Sequence, residues 1–158
     1  MSTDETTSPT DTLPLTVPLA WGELEAAVTE AGAGVFLATT GGDGRPHVAW
    51  VMPGWADERM WIATFASSQK AANLRSNPEV AMTCAPRPEA NVLVRATARL
   101  VEDRAETARL WADGVLPYDP SAFFSGPDDP ETLFVELRPT HATIHELGPA
   151  PVRRWRPS

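Results

Sequence analysis

The chain is 158 residues long, 42% hydrophobic and 22% charged, the balance of one globular domain with room for a short tail. Its 13 basic and 21 acidic side chains give a net charge of −8, which argues against a nucleic-acid-binding surface and the basic field such a surface needs. A single cysteine, Cys84, excludes an intrachain disulfide, a cysteine zinc cage and a Cys-x-x-Cys redox pair. All the basic residues are Arg except one, Lys70.

No apolar run approaches the ~20 residues that span a bilayer, and Met1 to Thr12 holds Asp4, Glu5 and Asp11 without the basic start of a secretory signal. The expectation is a cytoplasmic protein with no membrane partner. Residues 1–18 read as a disordered Ser/Thr/Pro-rich tail and residues 19–158 as the folded domain.

From Trp21 the pattern is helical: Leu24, Ala27, Val28 and Ala31 share a face, and Gly32 and Gly34 close the helix. A strand over Val35 to Thr40 and a second over Arg45 to Met52 flank the tight turn Gly41 to Gly44. Pro53-Gly54 and Asp57-Glu58 mark a loop, and Met60 to Phe65 is a third strand. Ser67 to Arg75 reads as a short helix capped by Ser67 or Ser68 and ended by Asn77-Pro78. Glu79 to Ala85 is a strand that buries Cys84 as an inert thiol, and Asn91 to Val101 is a longer one. Asp103 to Ala112 reads as a helix with Ala105, Ala108 and Trp111 on one face. Residues 113–130 form a Pro/Gly/Asp-rich loop carrying Tyr118, Phe123 and Phe124, and a loop that long in a compact domain is usually functional or wraps a partner. Two strands follow, Thr132 to Leu137 and Thr140 to Glu146, then a basic and aromatic tail, Arg153 to Arg156. About seven strands in hairpin order with two or three short helices predict a mostly β fold: a small closed or half-closed antiparallel barrel with helices at its ends.

Three segments bear on chemistry. His141 and His145 have a zinc-helix spacing but lie in a β-propensity run, where residues four apart are roughly 13 Å apart, so no metal is expected between them. Gly41 to Gly44 lacks the context of a phosphate loop or a dinucleotide fingerprint and reads as a hairpin turn. Ser67-Ser68-Gln69-Lys70 places hydroxyls, helix N–H groups and the lone ammonium together, either as an anion site or as an ordinary cap beside a solvated lysine.

The segments Phe36 to Thr40, Asp43 to Val48, Met60 to Thr64, Ser68-x-Lys70, Asn73-Leu74, Asn77-Pro78-x-Val80 and Asn91 to Leu100, in that order and spacing, resemble the pyridoxamine 5′-phosphate oxidase-like family. The stretch from Pro117 to Pro130 is similar to its general-stress-protein branch. The resemblance implies a six-stranded FMN-binding split barrel that forms a homodimer with two flavin sites at its interface. It places Ser68, Gln69 and Lys70 on the FMN phosphate, with Gln69 where the family has a basic residue. It sets Thr64 and Ala63 beside the ribityl chain, and runs His47, Val48, Ala49, Trp50 and Val51 under the ring, largely through backbone. Asn91 would reach the cofactor from the other subunit.

Where the true oxidases carry an Arg and a Lys on the second strand, Ala49 and Gly54 stand here, which argues against vitamin B6 oxidation. The function implied is a flavin-dependent oxidoreductase that acts on a small molecule by hydride transfer. The alternatives are a reductase of the same fold that uses the deazaflavin F-420, and a non-catalytic flavin-binding stress protein. No general acid or base is evident. His47 is the candidate proton donor unless it is an outward-facing strand histidine, and Trp50, Trp55 and Tyr118 are candidate pocket walls unless they serve core or interface.

Overall fold

In the long strands alternate residues such as Val35, Leu37, Val80, Met82, Val92 and Val94 are apolar, so each strand has a face that must be covered. The computed structural model describes residues 15–158 and covers those faces by curling the sheet around a single core. The elements in chain order are β1 (Thr16–Pro18), α1 (Trp21–Glu30), β2 (Val35–Thr40), β3 (Pro46–Val51), β4 (Gly54–Ala56), β5 (Arg59–Phe65), α2 (Gln69–Ser76), β6 (Glu79–Arg87), β7 (Ala90–Leu100), α3 (Arg104–Asp113), a 3-10 turn (Pro120–Ala122), β8 (Thr132–Glu146) and β9 (Val152–Trp155).

The strands run in the order β1-β9-β8-β7-β6-β2-β3, with β5 paired to β8 and β4 paired to β5. All neighbours are antiparallel except β1 and β9. The six longer strands β2, β3, β5, β6, β7 and β8 form the expected barrel, mostly β and antiparallel, and three short strands extend it. Neither β3 nor β5 pairs with the other, so the wall is open between them.

Leu24 and Val28 of α1 plug the interior against Leu37, Met60, Ile62, Met82, Val94, Val135 and Leu137. A smaller cluster, Trp61, Val101, Leu110, Leu116 and Phe134, lies outside the wall beneath α3. Cys84 is buried in the barrel, and burial pushes its thiol pKa up to about 11, as an inert thiol requires.

Several expectations are corrected. Residues 16–18, placed in the tail, form β1 against β9, while the tail proper, residues 1–14, lies outside the described residues. The basic C-terminal segment is strand β9, and its Trp155 is buried against Trp21 at 5.1 Å between ring centroids. Trp55 packs edge-on to Trp21 at 5.3 Å and belongs to the core side. The loop after β3 contains β4, because Asp57 and Glu58 both adopt positive φ, at 52° and 56°, and turn the chain straight back into β5. The two last strands are one 15-residue strand, β8. Pro139 reads as a break because it has no N–H, but a register shift at Arg95/Ala96 absorbs it. In α3 the buried residues are Thr107 and Leu110, with Trp111 partly covered, and Ala105 is exposed.

Among the described residues one charged group is fully buried. Glu136 of β8 accepts from Arg99 Nε at 2.5 Å and from Arg138 at 3.1 Å, and pairs with Arg59 at 2.7 Å. Arg99 in turn forks onto Glu106 of α3 at 2.8 and 3.1 Å. Burial pushes the Glu136 carboxyl pKa up, but the arginine hydrogen bonds outweigh it and hold the group below the ordinary carboxylate range. The cluster ties β5, β7, β8 and α3 together across one point. Replacing Glu136 with Gln leaves three guanidinium groups around a neutral amide. Because the arginines are each about half exposed, the expected loss is about 1–3 kcal/mol of unfolding free energy in urea titration, and a change under about 0.5 kcal/mol would contradict the strut.

Candidate functional site

The opening between β3 and β5 forms a cleft of about 320 Å³, within the range of small-molecule sites. Its floor is the end of β3, Trp50 to Met52, and the far half of β5, Ile62 to Phe65. Its roof is Tyr118, Phe123 and Phe124 from the loop after α3, and Lys70 of α2 closes one end. The unshared edges of β3 and β5 leave backbone N–H and C=O groups beside this opening.

The roof is built locally. Asp119 caps the 3-10 turn by accepting from the Ser121 N–H at 2.9 Å. Asp129 accepts from Ser125 Oγ at 2.9 Å and from the Glu131 N–H at 2.9 Å, and these bonds hold both carboxyl groups below their ordinary range. Arg104 donates to the carbonyls of Asp129 and Thr132 at 3.2 and 3.3 Å. Phe124 tilts against Phe65 at 4.9 Å and Phe123 meets Tyr118 edge-on at 5.5 Å. Burial raises the Tyr118 phenol pKa, which keeps its hydroxyl a donor.

Two glycines set where these walls sit. A Cβ on Gly54 would run into the Val115 carbonyl oxygen, so β4 and the start of the roof loop touch backbone to backbone. A Cβ on Gly34 would overlap the indole of Trp50, which lies over that position from the neighbouring strand.

At the closed end the helix cap and β5 are joined. Ser68 is the N-cap of α2: its Oγ accepts from the Ala71 N–H at 3.2 Å and shares a 3.0 Å hydrogen bond with Thr64 Oγ1. Ser67 is turned away, with its hydroxyl donating to Glu131 at 2.7 Å. Gln69 donates to Asn73 Oδ1 at 2.8 Å, and Asn73 donates to Thr39 at 3.0 Å, so Gln69 braces the helix onto β2. Lys70 is half-buried, makes no ion pair among the described residues, and has its pKa lowered by burial.

Of the residues singled out from the sequence, Trp50, Val51, Ala63, Thr64 and Lys70 line the cleft together, and Ser68 touches it through Thr64. His47 and Ala49 point to the barrel side, opposite Thr39 and Leu37, and Val48 points outward. The ring of His47 is partly covered, with Nδ1 buried and without a partner, so it is not an outward-facing histidine and does not line this cleft. Asn91 is exposed at the other end of the barrel, accepting from Thr83. It pairs with His145 whereas Thr64 pairs with Leu133, so the two lie at opposite ends of β8, roughly 40 Å of strand apart. His141 and His145 lie four apart on β8, in a strand as expected. Met52, Phe65, Phe123 and Phe124 are cleft residues outside the family-like segments, although the long aromatic-bearing loop was a signal for the last two, and Ile62 lines the cleft from within the Met60 to Thr64 segment.

An open antiparallel barrel with an aromatic cleft in its split defines the class. A family profile described as pyridoxamine 5′-phosphate oxidase matches residues 21–146, and the chain belongs to that family. No curated protein matches the chain. Among solved structures, a protein related to general stress protein 26 from Clostridium acetobutylicum is 18% identical, covers 87% of this chain and 96% of its own, and superposes with a TM-score of 0.67. A pyridoxamine 5′-phosphate oxidase-related, FMN-binding protein from Nostoc punctiforme is 16% identical, with 87% and 90% coverage and a TM-score of 0.68. An F420 reductase is 24% identical, with 80% and 98% coverage and a TM-score of 0.57. At these identities the likenesses establish the shared fold.

The roof gives a direct check of this geometry. Gly54→Ala must displace the loop at Val115. It is expected to cost about 1–3 kcal/mol of stability and to raise the acrylamide accessibility of Trp50 fluorescence. Unchanged stability and quenching would show that Gly54 does not position the roof.

Proposed function

We propose that the cleft binds a flavin-type cofactor, FMN in the first instance, and that the protein is an oxidoreductase-like member of its family acting on a small molecule. The observation that supports this most is the convergence of aromatic walls, free strand edges and the lone ammonium in one opening. A flavin needs a flat apolar slot, polar partners at the ring edge and a cation for its phosphate, and the cleft offers each. When bound, a flavin supplies hydride-transfer chemistry.

The chain's own residues bind and orient. Lys70 and the first N–H groups of α2 face an anionic end, and an anion beside Lys70 reverses the downward push that burial exerts on its pKa. Thr64 and Ser68 offer hydroxyls next to it. Trp50, Tyr118 and the phenylalanines exclude water and hold a planar group. Apart from Lys70 and Tyr118, the cleft lining carries no titratable side chain among the described residues, so the protein offers little acid–base chemistry of its own there.

A homodimer is part of this reading. The outer face of β2 and β3 exposes Phe36, Val48 and Trp50, at 53%, 60% and 57%, as an apolar strip that a second copy would cover. A second copy is also the route by which Asn91 could come near a cleft that its own chain does not let it reach.

The test is titration of the full chain with FMN and, separately, F-420, followed by flavin absorbance and fluorescence quenching. Saturable FMN binding is expected, weakened about tenfold or more in Lys70→Ala through the lost charge-assisted contact. Identical titration curves for that variant would remove Lys70 from the site, and binding of F-420 without FMN would replace the cofactor. Steady turnover of NAD(P)H by the flavin-loaded protein separates an oxidoreductase from a carrier.

A further inference from the structure

The outer face of the sheet is apolar over β2 and β3 and changes character over β7, β8 and β9. There Arg95 of β7 pairs directly with His141 of β8, and Thr143 of β8 pairs with Arg154 of β9. Side chains opposite one another in an antiparallel pair share a face. The same register carries Arg156, two residues past Arg154, toward His141. His141 therefore sits between Arg95 on one side and Arg154 and Arg156 on the other. Burial and the charges of Arg154, Arg156 and Arg95 all push its pKa down.

This is an unusual place to gather cations. The protein carries a net charge of −8, yet no carboxylate lies within ion-pair distance of Arg95, Arg154 or Arg156 among the described residues. On the same face Glu79 is two residues along β6 from Ala81, the partner of Arg95, and accepts a hydrogen bond from Thr97. Other arginines of the molecule do pair: Arg59, Arg99 and Arg138 with Glu136, Arg87 with Glu146, and Arg153 with Glu23. Moreover, Arg154 Nε is buried and has no hydrogen-bond partner. A buried guanidinium N–H without an acceptor is costly and like charges held together repel, and an anion on this face relieves both.

The geometry points to a binding site for a phosphate group on this face, formed by Arg95, Arg154 and Arg156 around His141 and Thr143. Guanidinium forks match phosphate oxygens two at a time, and the Thr143 hydroxyl and the His141 ring add donors on the same side. The ligand is a small phosphorylated or pyrophosphorylated molecule. A nucleic acid is disfavoured, since three arginines on an acidic protein make a spot of charge and not a track. The site is separate from the cleft: His141 stands eight residues along β8 from Leu133, the partner of Thr64, and Lys70 takes no part in it.

Inorganic pyrophosphate titrated into the full-length protein, read by calorimetry and by the His141 ring proton in NMR, tests this. The expected result is saturable, salt-sensitive binding that shifts the His141 signal. Arg154→Gln should weaken the binding that shifts His141 about tenfold or more and Arg156→Gln, at an exposed position, should weaken it as well, while Arg45→Gln, on the exposed turn between β2 and β3, leaves it unchanged. Absence of binding, or wild-type affinity in both Arg154→Gln and Arg156→Gln, overturns the site. Loss of binding in Lys70→Ala alone moves the anion to the cleft and also overturns it.

Discussion

A β-strand has two hydrogen-bonding edges, and β8 must serve three partners. Along one edge it pairs with β7 over almost its whole length. Along the other, its first residues, Thr132 to Leu137, pair with β5, and its later ones, Ala142 to Ile144, pair with β9. The sheet therefore forks at the middle of β8, at the Pro139 irregularity. One branch carries β5 and β4 and the other carries β9 and β1. Since β3 ends the main sheet and β5 beyond its pairing with β4, from Ile62 to Phe65, has no partner on its second edge, the barrel does not close between them, and the cleft is that failure to close.

The fork needs a rigid centre, and the buried carboxylate of Glu136 sits there. Arg59 comes from β5, Arg99 from β7 and Arg138 from β8 itself, and Glu106 brings in α3 through Arg99. Holding these elements fixes β5 relative to the sheet, and with it Ala63 and Thr64 at the cleft wall. The roof is fixed independently by Asp119, Asp129 and Arg104 with their backbone partners, and by the backbone contact at Gly54. Floor and roof meet at β4, the partner of β5, and at Phe65 against Phe124, and the slot lies between them.

Much of this was legible in the sequence. The alternation in Val35 to Thr40, Glu79 to Ala85 and Asn91 to Val101 specifies the barrel strands, and the helical spacing over Asp103 to Ala112 marks α3. The ordered family segments led to Thr64, Ser68 and Lys70, which the fold does bring together. What stayed hidden depends on contacts distant in sequence. Nothing local shows that Pro139 is tolerated inside β8, because the register shift that accommodates it involves Arg95 and Ala96 of another strand. Nothing local shows that His47 and Ala49 turn toward the barrel while Trp50 turns out over Gly34. The basic end of the chain looked like a tail because its strand partners, β8 and β1, lie on either side of it only in space.

The central claim is that the gap between β3 and β5 is the ligand site. Amide hydrogen exchange of the full-length protein with and without saturating FMN tests it most directly. The account predicts new protection confined to residues 50–52, 62–65 and the start of α2 at 68–71, with the roof loop at 118–124 slowed in the same samples. Protection elsewhere on the barrel with these segments unchanged, or no change at all under saturating FMN, would contradict it.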